Sequence, residues 1–179
     1  LMSYQELMAE YNLYTKNQSS LPEEERSTLQ AKFRQEQLDL IDVINRFLTE
    51  NPSFASIEQP GGGNLVQAAD LYYNLGELQY YAIPQDLTPA LASYRRALQL
   101  DPRLPNRDLA LYNVAFISSE LKRAEVDRNR IAYRETETIG SVPPDNALYN
   151  EGNFAEALNA LNQIVTEYPE SVMYEESVY

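Results

Sequence analysis

The stretch Ala90–Pro102, ALASYRRALQLDP, decides how this chain is built. Ala90, Tyr94 and Ala97 stand at i, i+4 and i+7, so they share one helical face, and Pro102 closes the helix because it cannot extend the ladder. The same steps of four, three and five residues return in ALNALNQIVTEYP, at Ala157, Leu161, Ile164 and Pro169. They occur once more in LIDVINRFLTENP, at Leu40, Ile44, Phe47 and Pro52. One device for ending a helix is therefore used three times. Internal repetition of this kind predicts stacked helix pairs, each needing its neighbour to bury its apolar face.

The helices before these closures share a second signature. Tyr72-Tyr73-Asn74-Leu75-Gly76 precedes Ala90, and Tyr112-Asn113-Val114-Ala115 follows Pro102. With Ala90, Tyr94, Ala97 and Pro102, these residues resemble the tetratricopeptide repeat, a helix-turn-helix unit of about 34 residues with an aromatic pair, Leu-Gly, and a small-aromatic-Ala-Pro series. Gly152-Asn153-Phe154-Ala155-Glu156-Ala157 is similar to that family's turn and second-helix start. Three departures stand out. The turn Ile83–Leu87 is about two residues long for the family, roughly thirty residues separate the next first helix from its partner, and Ala115 replaces Gly.

The resemblance implies an all-α fold: a right-handed superhelical array of antiparallel helix pairs with no β-sheet and an insertion in one repeat. Its expected parts are a degenerate repeat with a long second helix (1–59), a Gly-rich linker (60–67), and a repeat at 68–105. A further repeat follows at 106–171, interrupted at about 123–151, and residues 172–179 start another. From Pro102 and from Pro169 it is nine residues to Leu111-Tyr112 and Val178-Tyr179 respectively, which predicts a fragment of a longer array.

Composition narrows the chemistry. The 179 residues contain no Cys and no His. This removes thiol catalysis, disulfides, the usual general base of serine and cysteine hydrolases and the commonest zinc ligand. A net charge of −13 repels a phosphate backbone, so nucleic acid is not expected as a partner. No run approaches the length of a membrane span, and Leu1-Met2-Ser3-Tyr4-Gln5-Glu6 lacks the start of a signal peptide. Carboxylates cluster at helix ends, as in Glu23-Glu24-Glu25 and Glu175-Glu176, where solvation is their ordinary role. No carboxylate is flanked by the apolar pocket that acid catalysis requires, so no enzyme, metal or cofactor is expected.

Along the chain, Tyr4, Leu7, Met8, Tyr11 and Tyr14 form a stripe ending in Lys16-Asn17-Gln18-Ser19-Ser20. Ser20 is the expected cap of a second helix, with Pro22 in its first turn and Leu29, Phe33, Leu40, Ile44 and Phe47 on its apolar face. Pro60-Gly61-Gly62-Gly63 reads as a loop, since no strand precedes it and no Lys-Ser/Thr pair follows it as a phosphate cradle would need. Ile117, Leu121, Ala124 and Ile131 extend the helix begun near Asp108. Arg123, Arg128, Arg130 and Arg134 make it locally basic, and the expectation is a solvated arm with charge pairs such as Glu125 with Arg128 or Asn129, ahead of a dedicated docking element, with Thr138–Tyr149 as a loop.

In the tetratricopeptide family the first helices line a concave groove. The resemblance places Asp70, Tyr73, Glu77, Tyr80 and Tyr81 there from one repeat, and Leu109, Tyr112, Phe116, Ser119 and Glu120 from the next. The family's Lys/Arg/Asn clamp for a terminal carboxylate is missing from these positions. An aromatic and acidic groove implies a protein or peptide partner that is basic and carries apolar anchors. The expected function is a non-catalytic interaction scaffold. Thr166–Ser171 and Tyr174–Tyr179 look like segments of bacterial cell-envelope repeat proteins, which implies a periplasmic or outer-membrane-associated assembly. The alternative is a cytosolic peptide-binding adaptor or chaperone-like module. An acidic carbohydrate- or cation-binding protein is disfavoured by the absence of Trp.

Overall fold

A computed structural model of the chain describes residues 4–58, 65–82, 85–135 and 154–178. Helices dominate: α1 (Tyr4–Asn17), α2 (Glu23–Glu50), α3 (Ala68–Tyr80), α4 (Leu87–Leu100), α5 (Arg107–Glu135), α6 (Ala155–Glu167) and α7 (Met173–Val178). The contacts divide the chain into two compact units, Leu1–Ser93 and Tyr94–Tyr179, the division falling inside α4.

The repeated spacing becomes repeated geometry. Ala90, Tyr94 and Ala97 are fully buried, as is Ile164 on α6, and Ala157 on α6 and Leu40 and Ile44 on α2 are buried as well. Past the last turn, the N–H groups of Asn51, Asp101 and Tyr168 each donate to the carbonyl four residues back, at 3.0, 3.1 and 2.9 Å. Three residues on, Phe54, Leu104 and Ser171 close a further turn on those same residues at 2.9, 3.3 and 3.0 Å. Pro52, Pro102 and Pro169 sit in the middle, where a missing N–H costs nothing because the helix has already ended.

In the N-terminal unit, the short 3₁₀ turn Gln18–Ser20 sends α2 back along α1. Leu7 and Tyr14 from α1 join Phe33, Leu40, Ile44 and Leu48 from α2 and Leu75 and Leu78 from α3 in one core. Lys32 on α2 reaches Glu10 on α1 at 3.1 Å. Gln37 Nε2 donates to the Leu78 carbonyl at 2.8 Å, tying α2 to the end of α3. Gln79 and Ser93 share a buried side-chain hydrogen bond of 2.7 Å that joins α3 to the start of α4.

Two expectations are corrected here. Ser20 does not cap α2: its hydroxyl donates back to the Asn17 carbonyl at 2.7 Å, and Pro22 occupies the cap position without a side-chain hydrogen bond. Its own 3₁₀ turn claims the hydroxyl first. The expected absence of β-sheet also fails locally. Ser56–Glu58 and Leu65–Gln67 pair antiparallel, with Ile57 opposite Val66. Residues 59–64, which include Pro60–Gly63, lie outside the described residues.

In the C-terminal unit α5 packs on α6, and α7 packs on both. The face of α5 carrying Ala110, Leu111, Val114, Ala115 and Ile117 is buried, and Val126 extends that burial far along the helix. The 29 residues of α5 span about 44 Å at 1.5 Å each. Its charge pairs differ from expectation: Glu125 accepts from Lys122 at 3.0 Å and Glu120 from Arg123 at 2.8 Å, so the Glu125–Arg128 pairing is not the one formed. Arg130 and Arg134 have side chains outside the described set, and Thr138–Tyr149 and Gly152-Asn153 lie outside the described residues. Arg95 grips Glu156 with two parallel hydrogen bonds, Nε to Oε1 at 2.6 Å and Nη2 to Oε2, which raises the guanidinium further above its ordinary range. Ser171 Oγ donates to Asp108 at 2.5 Å and accepts from the Met173 N–H at 3.0 Å, capping α7 against the first turn of α5.

Candidate functional site

The groove residues expected on α3 are largely committed to the fold. Asp70 accepts from the Gln67 N–H at 3.1 Å and so completes the capping box that starts α3. Tyr73 is only 7% exposed and donates its hydroxyl to Glu77. Tyr4 from α1 and Tyr81 bring their phenols to the same carboxylate. Burial first, and then the Glu77 charge, push Tyr4 up to about 12 and raise Tyr73 and Tyr81 as well. Glu77 is thus surrounded by phenols, with α1 supplying one of them. Tyr81, just past the end of α3, is 56% exposed and packs edge-on against Tyr80 with centroids 4.9 Å apart. Of this set, Tyr81 reaches the surface most openly.

On α5 the expected residues form a ridge. Tyr112, Phe116 and Glu120 follow one another at four-residue intervals on the side opposite the buried Ala110–Ala115 face. Phe116 is 41% exposed, and Leu109, Tyr112, Ser119 and Glu120 are half-buried around it. Ser119 donates to the Phe116 carbonyl at 2.8 Å, which holds its hydroxyl against the backbone. Glu120 is shared with Arg123, so the ridge is more aromatic than acidic.

A cleft between α1 and α2 was not anticipated. It encloses about 750 Å³ within the N-terminal unit. Leu7 and Leu78 form its floor, and Tyr11, Tyr14 and Phe33 its aromatic wall, with ring centroids 5.4 to 6.2 Å apart. Arg34 is the charged residue of the lining. The Tyr14 hydroxyl is buried and has no hydrogen-bond partner among the described residues. The sequence signal was the stripe Tyr4–Tyr14, whose period showed a helix face but not the helix that would meet it.

Among the described residues no three His, Cys, Asp or Glu converge as a metal site would require, and no helix is long and apolar enough to cross a membrane. The chain matches no protein-family model, no curated protein and no solved structure.

Proposed function

We propose that this chain is a non-catalytic protein–protein interaction scaffold of tetratricopeptide type, working within a larger multiprotein assembly of the bacterial cell envelope. The observation that carries the reading is the ridge Tyr112–Phe116–Glu120, where a large apolar ring stands 41% exposed on a helix whose other face is closed by packing. Exposed aromatics held on a rigid element supply contact area at low entropic cost, which is what an anchor site needs. The thrice-repeated helix closure supports stacking of the pairs into a right-handed array. The lack of His and Cys supports a role without catalysis.

The partner that suits the ridge is a basic segment with apolar or aromatic anchors. The net charge of −13 steers such a segment at long range, and the rings of Tyr112 and Phe116 accept its cations and apolar groups. Photo-crosslinking tests this directly. A benzophenone side chain placed at Phe116 should capture a discrete partner in native extract, with the yield falling in Tyr112→Ala and at high salt. Equal capture from the exposed Thr166 of α6 would argue against the ridge.

A further inference from the structure

The cleft between α1 and α2 has a chemistry unlike the rest of this acidic chain. Asp and Glu outnumber Lys and Arg by 27 to 14, yet the lining contains Arg34 and no carboxylate. Two carboxylates of the flanking helices are engaged by other side chains, Glu10 with Lys32 at 3.1 Å and Asp39 with the Gln35 amide at 2.8 Å. Arg34 is exposed and forms no ion pair among the described residues. A cation kept free of partners beside aromatic walls suits an anion attached to an apolar body.

Tyr14 is the second observation. Its side chain is 6% exposed, it lines the cleft, and its hydroxyl has no partner among the described residues. Buried hydroxyls are ordinarily hydrogen-bonded, so an unpartnered one points to an acceptor that binds there. Its ring packs 5.4 Å from that of Phe33, and Tyr14, Phe33 and Arg34 all line the same cleft. The volume of about 750 Å³ falls among those of sites for small organic molecules, roughly 300–1,000 Å³.

We infer that the α1–α2 cleft binds an amphipathic monocarboxylate, its apolar body against Tyr11, Phe33 and Leu78 and its carboxylate on Arg34 and the Tyr14 hydroxyl. This site is separate from the α5 ridge and does not depend on the partner assigned to it.

Calorimetric titration of the full chain with decanoate, decan-1-ol and decyltrimethylammonium tests the inference. Decanoate should bind about tenfold more tightly than decan-1-ol, the difference expected of a charge-assisted hydrogen bond, and the ammonium should bind most weakly. Arg34→Gln should bring decanoate to the level of decan-1-ol. Tyr14→Phe, which removes the hydroxyl and keeps the ring, should weaken decanoate several-fold without lowering the melting temperature. Tyr112→Ala should leave decanoate binding unchanged, which separates this site from the ridge. Equal binding of decanoate and decan-1-ol, no binding at millimolar concentration, or a carboxylate preference that survives Arg34→Gln would overturn the inference. So would Arg34-dependent binding of a Leu- and Glu-rich peptide by a chain that ignores decanoate, because the occupant would then be a polypeptide.

Discussion

At the scale of single residues, the phenols around Glu77 make the most distinctive statement. Tyr4 keeps its proton to about pH 12, whereas an unfolded chain releases it near pH 10. The folded state therefore holds protons that the unfolded state loses, so this contribution is intact below about pH 10 and disappears between about pH 10 and 12. Thermal unfolding followed across that range should show the decline, and Tyr4→Phe should make it shallower. A Tyr4→Phe protein that loses stability as steeply as the parent would mean that Tyr4 does not titrate in this way. Gly76, buried in the middle of α3, has no room for a side chain. Gly76→Leu should cost about 1–3 kcal/mol through overpacking, read as a lower melting temperature. Ile164, wholly buried on α6, should cost about 2–5 kcal/mol when cut to Ala.

At the scale of elements, what the sequence made legible was local. Four, three and five residue steps identified three helix ends, because a helix face and a proline stop depend only on neighbours within about two turns. Tyr94 and Ala97 are buried as that period requires. The strand pair was not legible, since three residues a side are too few to show alternation. Nor was the cleft, which depends on Tyr14 meeting Phe33 across a turn. Contacts such as Gln37 with Leu78, 41 residues apart, leave no mark on either segment alone. The groove expected on α3 illustrates the same gap: the resemblance placed Tyr73 in it, and nothing in the sequence showed that Tyr73 would be buried with Tyr4 and Glu77 as neighbours. Arg95 and Glu156 make a further prediction possible. Both side chains are nearly half exposed, so Arg95→Gln should cost less than about 1 kcal/mol despite the two-pronged geometry, and the difference should vanish at high salt. A loss several times larger, persisting in salt, would show that the pair is shielded from solvent.

At the scale of the whole molecule, the repeated closures and the ridge on α5 support one proposal, a scaffold that holds a partner by aromatic anchors. Chemistry at a reacting centre has no part in that proposal. The kinetics of the partner captured through Phe116 test it most directly. Tyr112→Ala should speed dissociation at least about tenfold with little change in association, because a central anchor acts on the bound state. Tyr14→Phe, in the separate cleft, should leave both rates unchanged. Unaltered dissociation from Tyr112→Ala, measured on a variant with the parent's circular dichroism and melting temperature, would contradict the account.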